Sequence, residues 1–316
     1  MTSIPLVSII CTVYNHEPFL RQCLDGFVKQ KTSFPFEAIV HDDVSTDNSV
    51  SIIREYAEKY PDIIKPIYEI ENQYSKQDGS LYKVINSHLH GKYTAYCEGD
   101  DYWIDPLKLQ KQVDILEKDA SVGMVYTYAR IFDQQKDELS ERVVGRDGCS
   151  FDEILLQNPV PTVTTIYRTD LYKKYLQDIN PFPKKWVMAD MPMWLYFAAE
   201  SKVVFLPEIT SVYRVLPVSA YHNPDVSKEI RMSLGSFDIC SFFVERYKRQ
   251  DLLPQIKRQH VTSMIYKYLT HNEPVDISVC HKVGRICDCG LKMMLYTLLS
   301  LFPITRKMLY RHIKKQ

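Results

Sequence analysis

The chain has 316 residues, 45 % of them hydrophobic, which is enough to bury a large core in one domain or one domain with an appendage and too apolar for a disordered chain. Lys plus Arg and Asp plus Glu number 39 each, so no global field draws the chain to nucleic acid or another polyanion. The eight cysteines are scattered, and the opening MTSIPLVSIICTVYN lacks a charged, apolar, cleavable leader pattern, which points to a reducing, cytoplasmic location.

From Pro5 to about Tyr128, short β-branched runs alternate with helical periodicity, the pattern of an α/β fold with a largely parallel sheet. VSIICT (7–12) reads as the first strand, and EPFLRQCLDGFVKQ places Leu20, Leu24, Phe27 and Val28 on one helical face. FEAIVHDD is a second strand, followed by a helix in STDNSVSIIREYAEKY with Ser45, Thr46 or Asp47 as its cap. IIKPIYE reads as a third strand at a sheet edge, because Pro66 cannot donate to a ladder. YTAYCE is a fourth. In DPLKLQKQVDILEK, Asp105 suits a helix N-cap, Pro106 the first turn, and Leu109, Val113 and Leu116 the buried stripe.

Between about Asp133 and Phe151 the periodicity dissolves into charged, Gly-containing sequence, so a long loop is expected there, a candidate substrate lid. Strands resume at TVTTIYR and KVVFLPEITSVYRV, on either side of a helical MADMPMWLYFAAE, and beyond about Pro224 helical periodicity runs on. LKMMLYTLLSLFPI (291–304) is interrupted by Lys292 and Pro303 and falls short of the ~20 apolar residues a bilayer crossing needs. Cys280, His281, Cys287 and Cys289 match no structural zinc spacing and read as ordinary thiols with a neighbouring imidazole.

In an open α/β sheet, ligands sit outside the carboxyl ends of the strands. Three polar clusters fall there: TVYNHE, HDDVSTD and EGDD. The pairs Asp42/Asp43 and Asp100/Asp101 thus converge on one rim. Helix capping accounts for either pair taken alone. It accounts for less in Glu98-Gly99-Asp100-Asp101, because Asp105 stands closer to the following helix. Three carboxylates within four residues call for a counter-charge, and hard oxygen ligands suit Mg²⁺ or Mn²⁺, with positions left for water and phosphate oxygens.

The set VSIICTVYN, FLRQCLDGFVKQ, FEAIVHDDVSTDNS and GKYTAYCEGDDYWIDPLKLQKQV resembles the nucleotide-sugar-binding half of family 2 glycosyltransferases, which have the GT-A fold. The resemblance is continuous over roughly the first 120 residues and echoes to about residue 225. It implies a mostly parallel Rossmann-like sheet with flanking helices over 1–225, with a nucleotide-sugar half (1–128) and an acceptor half (129–225). A helical extension then occupies 226–316.

Carried across, the resemblance implies that Thr12, Tyr14 and Glu17 line the base and ribose pocket and that Asp42 or Asp43 binds the nucleobase. Asp100 and Asp101 would meet the ribose and, through Mn²⁺ or Mg²⁺, the diphosphate. Where the family has a first Asp this chain has Glu98, whose longer arm suits a sugar hydroxyl or a loop contact rather than direct ligation of the metal. Asp190 falls where the family places its catalytic base, while the neighbouring acid common there is Ala189 here; capping of the following helix is the competing role. Arg214 and His222 match a region that closes over the diphosphate, His222 as a further metal ligand, a phosphate donor or an ordinary surface histidine. Trp103, Trp186 and Trp194 are candidates to stack a sugar or to fill the core, with Tyr102 and Trp103 directly after the acidic motif.

The implied activity is metal-dependent, inverting transfer of a sugar from a nucleoside diphosphate sugar, UDP being the commonest carrier, to a glycan or lipid-linked acceptor in bacterial surface polysaccharide assembly. Two other readings stand beside it: a Mg-dependent nucleotidyltransferase, for which no Gly-rich phosphate loop is present, and a non-catalytic sugar-nucleotide-binding module. The segment 285–316 combines apolar residues with Arg306, Lys307, Arg311, Lys314 and Lys315, which suits either peripheral contact with the inner face of the cell membrane or packing on the catalytic domain.

Overall fold

A computed structural model describes residues 4–217 and 225–314. The chain opens with β1 (Val7–Val13), α1 (Glu17–Val28), β2 (Phe36–Asp42), α2 (Ser49–Lys59), β3 (Ile64–Tyr68), α3 (Ser80–Ser87), β4 (Tyr93–Tyr96), β5 (Tyr102–Trp103) and α4 (Lys108–Lys118). It continues through β6 (Val122–Asp133), β7 (Glu138–Val144), α5 (Phe151–Leu156), β8 (Ile166–Arg168), α6 (Thr169–Ile179), α7 (Asp190–Glu200) and β9 (Lys202–Val215). Five helices follow: α8 (Val226–Arg246), α9 (Leu253–Thr270), α10 (Ile277–His281), α11 (Leu291–Ser300) and α12 (Pro303–Ile313).

The strands form one sheet in the order β3-β2-β1-β4-β8-β6-β9-β5, with β7 paired to β6 off that path. β3, β2, β1 and β4 run parallel, so their carboxyl ends open to the same rim. β8 enters antiparallel between β4 and β6, while β6 and β9 are parallel. β1 reads as a continuous apolar run because both its faces are covered: Val7, Ile9, Ile10, Cys11 and Val13 are all buried. The expected edge position of β3 holds, with Pro66 on a strand paired on one side only.

Helix α1 buries Leu20, Leu24 and Phe27 as its spacing predicts, whereas Val28 is only partly covered. It crosses so close to β5 that a Cβ on Gly26 would stand 2.9 Å from the Trp103 carbonyl oxygen, contact that only glycine permits. Beside it the Cys23 thiol lies 3.9 Å from both Cys11 and Cys97, and all three are buried and free.

Three local expectations are corrected. Helix α4 starts at Lys108 rather than at Asp105 and Pro106, because the Asp105 N–H is bound to the Thr210 carbonyl at 3.2 Å and its Oδ1 accepts from the Leu107 N–H at 2.9 Å. The stripe Leu109, Val113 and Leu116 is nevertheless buried. TVTTIYR is extended only at Ile166–Arg168; residues Thr162–Thr164 form a 3₁₀ turn whose Thr164 hydroxyl donates to the Pro161 carbonyl at 2.7 Å. The segment 133–151 is not one open loop: β7 pairs back onto β6, with Asp133 opposite Glu138 and Ala129 opposite Val144. Its alternating charges hid the strand, since β7 has no buried face.

The described residues divide into two compact units. The first draws on Met1–Ile154, Asn158–Lys185 and Met193–Val215, and its core includes β1, the inner faces of α1, α2 and α4, and Trp103. The second comprises Leu155–Gln157, Trp186–Pro192 and Leu216–Gln316, with a core of Ile230, Val261, Met264, Ile265, Leu269, Cys280 and Met293.

Lys108 is fully buried in the first unit, its Nζ donating to Gln112 Oε1 at 2.8 Å and lying 4.3 Å from the Trp103 ring centre. Burial depresses its pKa from 10.5 to about 7. Between those values the unfolded chain binds the extra proton, so this group makes stability rise with pH from about 7 towards 10.5. Urea titrations across that range are expected to show the rise in the native sequence and a flattened slope in Lys108→Met.

Candidate active site

The two acid loops hang from the end of one strand. The Asp43 N–H donates to the Val13 carbonyl at 2.9 Å, and the Gly99 N–H donates to the Thr12 carbonyl at 3.0 Å, so β1 brings together the loops after β2 and β4. The loops after β1 and β2 are then stitched to each other. Asn15 Oδ1 accepts from the Thr46 N–H at 2.7 Å, the His16 N–H donates to Ser49 Oγ at 3.0 Å, and the Glu17 N–H donates to Asp47 Oδ2 at 2.9 Å. In return Glu17 accepts from the Asn48 N–H at 3.1 Å and from Asn48 Nδ2 at 2.7 Å. Each helix start supplies acceptors for the other's orphan amides. The crossing holds Asn15 and Val44 at positive φ, 56° and 67°. For a β-branched residue such as Val44 that backbone is strained, costing on the order of 1–3 kcal/mol, and the stitched loops maintain it.

Several expected ligand-binding residues therefore carry structural bonds. Asp43 is buried with both oxygens engaged, accepting from the Gln73 N–H at 2.6 Å and the Tyr74 N–H at 3.0 Å. Asp42 Oδ2 accepts from the Ser45 N–H at 3.1 Å, while its buried Oδ1 has no hydrogen-bond partner. Thr12 Oγ1 lies 3.5 Å from the Tyr96 hydroxyl, and Tyr14 is half exposed. Trp103 is buried, its Nε1 donating to the Val163 carbonyl at 2.9 Å, so its ring is a core surface here. Trp194 is fully buried, and Trp186 packs 5.3 Å from Phe242 in the second unit.

The acidic motif is the one group of three such acids among the described residues whose ligand atoms gather: oxygens of Glu98, Asp100 and Asp101 all lie within 4.8 Å of one another. Asp101 is buried, and burial followed by the charge of Asp100 raises its pKa well above the ordinary carboxylate range. Its Oδ1 accepts from the Arg214 N–H at 2.8 Å. The Arg214 guanidinium is itself buried, donating through Nε to the Asp100 carbonyl, through Nη1 to Gln134 Oε1 and through Nη2 to Gln22 Oε1, each at 2.7 Å. It lies 4.7, 5.5 and 4.8 Å from the ring centres of Phe19, Tyr102 and Phe132. Arg214, expected to contact the diphosphate, is here the clamp of the acidic loop.

One arginine against three carboxylates leaves net negative charge, and Asp100 Oδ1 is buried without a hydrogen-bond partner. An all-oxygen donor set with an unsatisfied carboxylate oxygen fits a hard divalent cation.

His16, in TVYNHE after β1, lies against the acidic loop. Its Nδ1 is buried without a hydrogen-bond partner, and a Cβ on Gly99 would come within 2.7 Å of it. Burial lowers its pKa against the opposing pull of Asp100, Asp47 and Asp42. Asp190 opens α7, its Oδ1 accepting from the Met191 N–H at 2.8 Å. His222 lies outside the described residues.

A parallel sheet with an acid cluster at its carboxyl rim, followed by an antiparallel insertion, is the GT-A fold of nucleotide-sugar-dependent transferases. The mannosyltransferase PcManGT of Pyrobaculum calidifontis, solved with GDP-Man and Mn²⁺, is similar over 98 % of this chain and 88 % of its own, with a TM-score of 0.56 at 16 % identity. TarS 1-349 of S. aureus, solved with UDP-GlcNAc, is similar over 98 % and 90 %, with a TM-score of 0.52 at 16 % identity. In sequence, an uncharacterised protein of Mycobacterium tuberculosis is 35 % identical over 210 residues, which is 66 % of this chain and 58 % of that relative's length. The profile of glycosyl transferase family 2 matches residues 8–176, just over half of the chain, and the chain belongs to that family.

Truncating the clamp tests the site's architecture. Arg214→Ala is expected to cost about 3 kcal/mol in denaturant titrations, since it strands buried acceptors and acids. Arg214→Lys is expected to recover only part of that loss, because an ammonium cannot serve the same planar set of acceptors.

Proposed function

We propose that this protein transfers a sugar from a nucleoside diphosphate sugar to a hydroxyl of a glycan or lipid-linked acceptor, with inversion at the anomeric carbon and a divalent cation bound. The observation that carries this reading is the convergence of Glu98, Asp100 and Asp101 on one point of the sheet rim. The donor class is supported by family membership and by the UDP-GlcNAc and GDP-Man held by the two structural neighbours, and the cation by the Mn²⁺ of one of them. We assign a UDP-sugar as the donor, with surface polysaccharide assembly at the inner face of the cell membrane as the setting.

Asp100 and Asp101, with Glu98, would hold the Mn²⁺ or Mg²⁺, and His222 is a further candidate ligand. When bound, such an ion offsets the negative charge that develops on the departing diphosphate. Thr12, Tyr14, Glu17 and one of Asp42 and Asp43 are assigned to the base and ribose, where Asp42 retains an unused oxygen. Asp190 takes the proton from the acceptor hydroxyl as that oxygen bonds to the anomeric carbon. The bond from this carbon to the phosphate oxygen breaks, and the nucleoside diphosphate leaves with the electron pair. Attack from the face opposite the leaving group inverts the configuration.

Two substitutions separate binding from turnover. Asp190→Asn is expected to lower the rate of sugar transfer at least ~10²-fold while calorimetric affinity for UDP with Mn²⁺ stays within about twofold. Transfer that survives Asp190→Asn removes the assigned base. Asp101→Asn is expected to abolish the gain in UDP affinity that Mn²⁺ brings, and a UDP affinity in the native chain indifferent to chelation would remove the metal.

A further inference from the structure

Helix α12 buries Leu309, as an amphipathic helix does, but α11 leaves most of its apolar side chains outside. α11 turns Met293, Thr297 and Ser300 inward, the two hydroxyls satisfied by the Met293 and Thr297 carbonyls at 2.8 and 2.6 Å. Ser300 Oγ also accepts the Val275 N–H at 3.1 Å. Leu291, Met294, Leu295 and Leu298, at i, i+3, i+4 and i+7, form the outer stripe, which continues through Leu301 and Phe302 onto Ile304 and Met308 of α12. These eight side chains are between 43 % and 83 % exposed, and they make up eight of the nineteen large apolar side chains exposed among the described residues. A water-facing helix shows the reverse pattern, and so many exposed apolar side chains close together in the chain mark a surface that meets something.

The charges beside the strip say what it meets. After Asp288 the sequence holds no Asp or Glu. Exposed Lys307 and Arg311 on α12 and Lys314 at its C-cap, at i, i+4 and i+7, follow the spacing of Ile304 and Met308, and exposed Lys292 stands on α11. An apolar stripe with Lys292, Lys307, Arg311 and Lys314 on its own helices and no acid on either suits a helix pair lying in the headgroup layer of an anionic bilayer. Helices of 10 and 11 residues are too short to cross one, and among the described residues no helix is long and apolar enough to do so. A second copy meeting this face through its own would oppose cation to cation, which costs affinity.

We propose that α11 and α12 dock the protein on an anionic membrane surface, with Leu295, Leu298, Phe302, Ile304 and Met308 in the acyl boundary and Lys307, Arg311 and Lys314 on the headgroups. This docking is independent of the reaction assigned above, so each fails or stands by its own measurement. The test is co-sedimentation of the full chain with vesicles of phosphatidylcholine alone and of phosphatidylcholine and phosphatidylglycerol in equal parts. Binding is expected only to the anionic vesicles, weakening about fivefold for each of Lys307→Gln and Arg311→Gln. The pair Leu295→Asp with Leu298→Asp is expected to reduce it by more than about tenfold with the melting transition and UDP affinity unchanged. Absence of binding to anionic vesicles, equal binding to neutral ones, or retention of binding in the Asp pair would overturn the proposal. So would a dimer in solution that the Asp pair dissociates, since the strip would then be a protein interface.

Discussion

Arg214 reaches from the end of β9 into the loop between β4 and β5, and the position of its guanidinium is over-determined. Three acceptors and three aromatic rings hold it, and its own N–H holds Asp101. The acids of that loop are consequently kept close together, in surroundings dry enough to push the Asp101 carboxyl towards its neutral form. A buried guanidinium ties the loop down without cancelling its charge, and the remaining negative charge suits the cation proposed above. Because Gln22 lies on α1, Gln134 after β6 and Arg214 on β9, one hydrogen-bonded centre fixes the start, the middle and the end of the first unit relative to one another.

What was legible in the sequence was whatever depends on near neighbours. The stripes of α1 and α4, the buried run of β1 and the edge role of Pro66 all follow from periodicity or from a missing donor. The acid cluster was legible too, since three carboxylates within four residues conflict with one another unless something relieves them. Partners distant in the chain were not. The structural partners of Glu17 and Asp43 lie far along the chain, and only the fold brings Asn48 to the first and the Gln73 and Tyr74 amides to the second. The clamping role of Arg214 is likewise invisible locally, because nothing near it in the chain announces Gln22 or the rings around its guanidinium. The place of His16 is not legible locally either, since only the fold sets Gly99 against the imidazole between Asn15 and Glu17.

The second unit follows another logic. Its core is assembled without strands, with Val261, Met264, Ile265 and Leu269 of α9 beside Ile230 of α8, Cys280 of α10 and Met293 of α11. There the apolar pattern misleads on one point: the most hydrophobic stretch of the segment is not its most buried. Thr297 and Ser300 face inward because their hydroxyls close onto the helix's own carbonyls and need nothing from water.

The margins of the sheet are β3, β5 and β7. β3 carries Pro66, which presents no amide at its position; β5 is only two residues long; and β7 is studded with Glu138, Glu141 and Arg142. None of these offers the flat, uncharged ladder of unpaired amides on which a foreign strand could nucleate. The fold is thus guarded against fibrillar growth and strand exchange along its widest element, and a concentrated solution of this protein should fail, if it fails, by helices clumping greasily rather than by strands adding to strands.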